Sequence, residues 1–318
     1  TLHRSMLARL ERLYRVLVGM FTLLRKCERR RSTIYMSVSG GSGQLYEVLY
    51  ILLSKLFCAK LVLHHHSFAY LNNVPSATMK LLTRVAGRRA LHVCLSASMS
   101  KLLGILYPSA ISTFTLSNAA FFAGNIGANS PKQRLSTVGF LSNISEEKGV
   151  FHFLALCKAL HTVGVPVKCI LSGPFQDADS EVAVKDLLAE LSNTTYIGPV
   201  YGSKKEAFFA SIDVLVFPTI YPNEAEPLTI LEALARSIPV IAYGRGAIPE
   251  ILEPPYGLAV GIDDAFTAPA LEQLKHWQMN SVEYQRASLA AGNSFKALEI
   301  DNQANLDWLV TDITSQNH

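Results

Sequence analysis

The amino-acid sequence predicts an α/β protein of two Rossmann-like, doubly wound domains. Three observations carry that expectation. Short β-type runs alternate with helical stretches along nearly the whole chain, the pattern of parallel sheets joined by helical crossovers. The length, 318 residues, exceeds one ordinary core and suits two domains of roughly 100–200 residues each. The charge is also divided: residues 1–130 carry +13 and residues 131–318 carry −9, within a net charge of +4. The expected domains are therefore residues 1–130 and 131–318, with a Gly-bearing, aperiodic linker over residues 119–136.

The first half opens on a helix over residues 3–30. Leu7, Leu10, Leu13, Leu17, Met20, Leu23 and Leu24 recur at three- and four-residue spacing, with Arg4, Arg9, Arg12, Arg15, Arg25, Lys26 and Arg29 around them. A β-type run at 33–38 leads through Ser39-Gly40-Gly41-Ser42-Gly43 into a helix at 45–57 and a strand at 60–66. Further strands are expected at 91–95 and 113–116, with a helix at 97–106 between them. In the second half strands are expected near 135–139, 167–172, 195–197, 214–217, 240–242 and 258–260. Helices are expected at 147–163, 179–192, 203–211, 227–237, 246–252 and from 267 onward. Ligands of such domains bind at the carboxyl edges of the strands.

Composition narrows the function classes. Hydrophobic residues make up 49% and charged residues 17%, which describes a packed core and not a disordered chain. The longest early apolar run, Val16 to Leu24, has nine residues, against about 20 for a membrane span. Five scattered cysteines, Cys27, Cys58, Cys94, Cys157 and Cys169, form no Cys-x-x-Cys pair and read as structural thiols in a reducing compartment. A basic first half suits anionic lipid, an anionic acceptor or nucleic acid. No interleaved Arg/aromatic motif or zinc module supports nucleic acid, so no nucleic-acid partner is expected.

The most informative stretch is 213–242. A hydrophobic strand feeds a polar loop, Pro218 to Glu226, and Pro227 is placed to open a helix. Glu224 lies in the loop, Glu232 eight residues later on the helix, and Ala225 and Leu228 flank them. Free N–H groups at a helix start suit phosphate, and nearby carboxylates accept hydrogen bonds from sugar hydroxyls. Taken singly, either glutamate is an ordinary solvated charge. A second motif opens the same half: Val138-Gly-Phe-Leu-Ser-Asn-Ile-Ser-Glu-Glu-Lys-Gly149, a strand and loop ending in Lys-Gly.

Together these motifs resemble glycosyltransferase family 4, whose members have the GT-B fold of two Rossmann-like domains facing across a cleft. The resemblance covers about residues 136–255. It implies that Glu224 meets the donor sugar, with Glu226 a rival at poorer spacing, and that Glu232 holds the ribose hydroxyls. Lys148 would pair with the donor diphosphate. Gly173-Pro174 and Gly198-Pro199-Val200 resemble the turns beside the nucleotide. Two departures stand out: Phe140 occupies a position where the family commonly has a phosphate-binding Arg, and Ile238, preceded by Ser237, stands before Pro-Val where glycine is usual.

In the first half, His64-His65-His66 ends a strand, with His64 and His66 on one face and His65 on the other. A metal site would need further ligands at suitable spacing, and satisfied structural histidines are the plain alternative. The family resemblance implies a functional histidine at this strand end, His66 first and His64 second. By the same resemblance Gly41, Ser96 and Asn118 fall on the acceptor side. The family's first strand–loop–helix is expected to be absent, an amphipathic helix standing in its place.

The expected function is transfer of a sugar from a nucleoside diphosphate sugar to a hydroxyl acceptor with retention, in cell-surface polysaccharide or glycolipid synthesis. The alternative is a catalytically weak or inactive nucleotide-sugar-binding homologue. No cofactor beyond the donor substrate is expected, and no metal, on the reading that the chain lacks an Asp-x-Asp motif. The protein is expected in the cytoplasm, and the basic N-terminal helix reads either as a solvated face or as a contact with the inner membrane face that brings the enzyme to a lipid-linked acceptor.

Overall fold

The structure is a computed structural model and describes residues 2–26, 32–56, 60–72, 74–122 and 131–315. Cys27, Cys58, the end of the first expected helix and linker residues 123–130 lie outside the described residues. The chain divides into two compact units, Thr1–Leu116 with Ala304–His318, and Ser117–Gln303.

The first unit contains α1 (Leu2–Lys26), β1 (Thr33–Val38), α2 (Gln44–Leu56), β2 (Lys60–His65), α3 (Ala77–Ala86), β3 (Leu91–Cys94), α4 (Ala97–Leu106) and β4 (Ser112–Thr115). The four strands are parallel in the order β1-β2-β3-β4. Parallel strands joined by helices make this the Rossmann-like arrangement expected of the first domain. Helix α3 was not expected from sequence. Its signal is Ser76, whose side chain accepts from the Met79 amide, followed by the buried face Met79, Leu82, Thr83 and Ala86. Ten residues beside Pro75 gave too short a period to stand out.

The second unit contains β5 (Thr137–Leu141), α5 (Val150–Thr162), β6 (Lys168–Ser172), α6 (Ala178–Ala189), β7 (Thr194–Tyr196), α7 (Ser203–Ser211), β8 (Val214–Phe217), α8 (Leu228–Ala235), β9 (Val240–Tyr243), α9 (Ile248–Ile251), β10 (Gly257–Val260), α10 (Thr267–Met279) and the start of α11 (Ser281–Thr314), whose residues from Ala304 on belong to the first unit. Its six parallel strands run β10-β9-β8-β5-β6-β7. Strand residues alternate between two cores: Val214 and Val216 join Val138, Phe140 and Phe153 on one side, and Leu215 and Phe217 join Ile230, Ile238 and Val240 on the other. The strand order reverses between β5 and β8, which makes the carboxyl ends of those strands the switch point where ligands of such sheets bind.

The division falls at Leu116/Ser117 and not at 130/131, and the chain returns to the first unit at its end. There Trp308 stacks on Phe114 at 4.6 Å, and Lys60 pairs with Asp312 at 2.5 Å. A long helix with continuous apolar spacing does not show, in sequence, which sheet it packs against.

Ser237 is the one described non-glycine residue with positive φ, at 57°. The conformation that favours glycine thus belongs to Ser237 and not to Ile238, which is fully buried. The Ser237 carbonyl accepts from Ser288 Oγ at 2.6 Å and its N–H donates to Leu234 O at 2.9 Å, both of which glycine would keep. Ser237→Gly is therefore expected to stabilise the fold by about 0.5–1 kcal/mol, the relief of left-handed strain less the greater freedom of the unfolded chain. A thermal melt reads this, and a lower midpoint in the variant would contradict it.

Candidate functional site

Six loops leave the carboxyl edge of the second sheet, and those after β5, β6, β7 and β8 pack tightly. Gly149 has φ +83°, and a Cβ there would lie 1.9 Å from Pro218 O. This fixes the loop after β5 against the loop after β8. Gly173 has φ +145°, and a Cβ would lie 1.7 Å from Ser142 O. Its N–H donates to Gly198 O at 3.2 Å, and the Ile144 N–H donates to Pro174 O at 2.8 Å. Gly173, Pro174 and the turn before buried Val200 are thus bonded side by side after β6 and β7.

The switch point brings Lys148 and Glu224 together. Lys148 Nζ donates to Glu224 Oε2 at 2.7 Å and lies 4.3 Å from the Tyr221 ring centre. Thr219 Oγ1 donates to the same carboxylate oxygen at 3.1 Å. Both charges are largely shielded, with side-chain exposures of 19% and 12%. Such a pair is held in place by its hydrogen bonds, and an anion arriving at Lys148 would release Glu224 to accept from hydroxyls.

Glu232 lies one turn into α8, behind Pro227, which stands just before the first helical residue. Lys205 Nζ donates to Glu232 Oε1 at 2.5 Å. Glu232 Oε2 is buried with no hydrogen-bond partner among the described residues. A buried carboxylate oxygen left without a donor is costly, and hydroxyls of a ligand are the groups that would satisfy it. Beside it opens a cavity of about 480 Å³ lined by Phe121, Glu206, Leu228, Glu232 and Arg236 among others. Arg236 is buried and forks onto Glu206, with both Nη2 contacts at 2.7 Å.

Glu226 is not available for a sugar. It is 6% exposed, and its oxygens accept from Ser117 Oγ at 2.7 Å and from the Asn118 N–H at 2.6 Å. Between the two rival carboxylates the structure leaves Glu224 facing Lys148 and turns Glu226 inward. Asn118, expected on the acceptor side, belongs to the second unit and its amide also donates to Glu226 O at 3.4 Å. Burial, the largest cause, pushes the Glu226 carboxyl up from its usual 4.5 to about 7, against the opposing hydrogen bonds from Ser117 and Asn118. The folded protein then holds a proton that the unfolded chain releases between about pH 4.5 and 7. Stability accordingly falls as pH rises through that window and levels off above it, by an amount on the order of 3 kcal/mol. Glu226→Gln is expected to flatten this slope. Melts between pH 5 and 8 check it, and equal slopes in both proteins would contradict the assignment.

In the first unit the expected residues lie on loops of one sheet edge. Gly41, with φ +69°, has open space where a Cβ would stand. A Cβ on the preceding Gly40 would lie 3.4 Å from Ser67 Oγ, so the loops after β1 and β2 adjoin. His66 is exposed at the end of β2. His64 is buried, with its ring 3.9 Å from that of His66 and its Nδ1 against the Tyr35 hydroxyl. Burial first, and His66 second, push His64 down to about 3, so it is neutral in any working range. His65 is structural: its two nitrogens meet Tyr70 Oη at 2.8 Å and His92 Nδ1 at 2.9 Å. Ser96 caps α4, its hydroxyl accepting from the Met99 N–H at 3.2 Å.

Sequence reasoning missed Lys205 and Arg245. Lysine at a helix start opposes the helix dipole, and Lys204-Lys205 in the first turn of α7 was a readable sign of a local anion. Contrary to the expectation of no Asp-x-Asp, the chain carries one, Asp177-Ala178-Asp179. Asp177 caps α6, accepting from the Ser180 N–H at 2.7 Å. Among the described residues no group of three or more His, Cys, Asp or Glu is placed to hold a metal ion.

Residues 125–268 match the family model of glycosyl transferases group 1. A sequence comparison with curated proteins gives no match. Among solved structures, TarM superposes with a TM-score of 0.74 at 15% identity, over 95% of this chain and 58% of TarM. HepE of Anabaena, solved in complex with UDP, superposes at 0.68 and 18% identity, over 93% of this chain and 82% of HepE. Sucrose-phosphate synthase from Thermosynechococcus elongatus superposes at 0.65 and 17% identity, over 86% and 72%. The chain thus spans 58% of the length of TarM and larger shares of the other two. The fold is that of the GT-B glycosyltransferases, and residues 125–268 are similar to glycosyl transferases group 1.

Proposed function

We propose that the protein is a retaining glycosyltransferase that moves a sugar from a nucleoside diphosphate sugar to a hydroxyl acceptor. The observation that carries this reading is the Lys148–Glu224 pair at the β5/β8 switch point, with Glu232 and its unsatisfied oxygen on the following helix. The donor diphosphate takes Lys148, Glu224 turns to the sugar hydroxyls, and Glu232 accepts from the ribose hydroxyls. The bond between the anomeric carbon and the diphosphate oxygen breaks, and its electron pair stays on the diphosphate. The acceptor oxygen bonds to the anomeric carbon and passes its proton to the departing phosphate oxygen. Lys148 and the N–H groups at the start of α5 stabilise the developing negative charge. His66, exposed at the end of β2, is the proposed group from the first unit. No cofactor or metal takes part, and strict metal dependence would count against the scheme.

UDP is the first donor nucleotide to try, because HepE was solved with UDP and with UDP-glucose and the pneumococcal O-GlcNAc transferase GtfA with UDP and GlcNAc. The proposed setting is cell-surface polysaccharide or glycolipid synthesis at the cytoplasmic face of a membrane. A specific observation supports membrane contact: α1 exposes Tyr14, Leu17, Val18, Phe21 and Leu24 along one stripe, beside Arg15, Arg25 and Lys26. No helix among the described residues is long and apolar enough to cross a membrane. A second reading, a weak or inactive nucleotide-sugar-binding homologue, is favoured by Phe140, which is fully buried against Phe153 and offers the phosphate nothing.

Incubation with UDP-glucose or UDP-N-acetylglucosamine and a panel of hydroxyl acceptors, followed by NMR of the product, tests the proposal. Product with the donor's anomeric configuration is expected, and Glu224→Gln should lower the rate about a hundredfold or more. An inverted product would contradict retention. Nucleotide binding without transfer or donor hydrolysis would favour the second reading.

A further inference from the structure

We infer that Arg245 supplies a second phosphate-binding cation to the donor site, in place of the one that Phe140 cannot provide. The inference rests on the donor-site reading above. Arg245 lies in the loop after β9, and β9 neighbours β8 in the sheet as β8 neighbours β5. The three parallel strands therefore deliver Arg245, Glu224 and Lys148 to one edge.

A single residue ties these loops together. The Ile220 N–H donates to Glu147 O at 2.9 Å, next to Lys148, and Arg245 Nη2 donates to Ile220 O at 3.1 Å. The next residue, Gly246, has φ +57°, and a Cβ there would lie 2.3 Å from Glu224 O. Ala247 N–H donates to Ala225 O at 2.7 Å. The Arg245 loop is thus laid directly on the Glu224 loop.

The guanidinium is also unusually free of acceptors. Its Nε is buried with no partner, and among the described residues no carboxylate lies within ion-pair distance of it. Lys148, by contrast, is neutralised by Glu224 and Lys205 by Glu232. Arginine stays charged at any working pH and carries five N–H donors in a planar fork. Here one donor meets a neutral carbonyl, and among the described residues the rest of the fork meets no acceptor. A diphosphate supplies charged oxygens that match it, and two-point contacts of this kind are the strong ones. The side chain is only half-buried, so it can swing from Ile220 O to a ligand oxygen.

The test compares binding of UDP, UMP and uridine, or the GDP or ADP series if one of those binds best, to the full chain by calorimetry. Wild type, Arg245→Ala, Arg245→Lys and Glu232→Ala are measured, with circular dichroism and melts to confirm folding. Arg245→Ala is expected to weaken the diphosphate about tenfold to a hundredfold and the nucleoside by less than about twofold. Arg245→Lys should recover part of the loss, and Glu232→Ala should weaken all three ligands. Unchanged diphosphate affinity in Arg245→Ala, or an equal loss for diphosphate and nucleoside, would overturn the role of Arg245 and leave the donor site standing. Failure of the wild type to bind any of the nucleotides would overturn both.

Discussion

Glu232→Ala is expected to weaken nucleotide binding by about a hundredfold or more, while barely lowering the stability of the free protein. Each hydrogen bond to a charged carboxylate contributes about 1.5–3 kcal/mol, and a vicinal diol would make two of them. The free protein loses little because the pair with Lys205 is partly exposed and Glu232 Oε2 already lacks a donor. Removing that oxygen removes a buried acceptor that nothing satisfies. Calorimetric titration with the nucleotide and a melt of the free variant read the two effects separately. A variant that binds normally would take the ribose role away from Glu232. A variant that fails to fold would mean that the carboxylate is a structural anchor and that its open oxygen has been misread.

The second large effect concerns Gly149. Its φ of +83° costs an L-residue about 1–2 kcal/mol. A Cβ would also lie 1.9 Å from Pro218 O and 2.5 Å from Pro218 C, both backbone atoms that cannot turn away. Gly149→Ala is expected to cost about 3 kcal/mol or more, a large part of a stability that is typically 5–15 kcal/mol. The natural control is Gly164, which has φ +72° and open space at the Cβ position. Gly164→Ala should cost only the conformational term, about 1–2 kcal/mol. Denaturant melts of the two variants give the comparison, and equal losses would show that contact with Pro218 carries nothing. Because Gly149 sets the distance between the Lys148 loop and the Glu224 loop, nucleotide binding should fall with stability in the first variant and not in the second.

What was readable in the sequence was what is local. Lys148, Glu224 and Glu232 stand in short motifs whose strand, loop and helix parts follow one another, and the strands and helices around them were expected within a few residues of where they lie. What was not readable comes from separate loops meeting at a sheet edge. Arg245 reaches Ile220, and Lys205 reaches Glu232, only because β9 lies beside β8 and α7 beside α8. Strand order is not written in the spacing of any one segment. The same limit applied to Glu226, whose partners Ser117 and Asn118 precede it by 109 and 108 residues. Two equally polar glutamates in one loop look alike in sequence, and burial separates them. The left-handed Ser237 and the return of the last helix to the first unit were missed for a related reason, since both depend on what a turn or a helix face meets.

The most direct test of the donor site is the stability of the full chain in the presence of UDP, GDP and ADP. A nucleotide that binds only the folded state stabilises it by about 2.7 kcal/mol at 100 times its dissociation constant. A rise in the melting midpoint is expected with one of the three, lost in Glu232→Ala. No rise with any of them, at millimolar concentration, would contradict a working donor site in this chain.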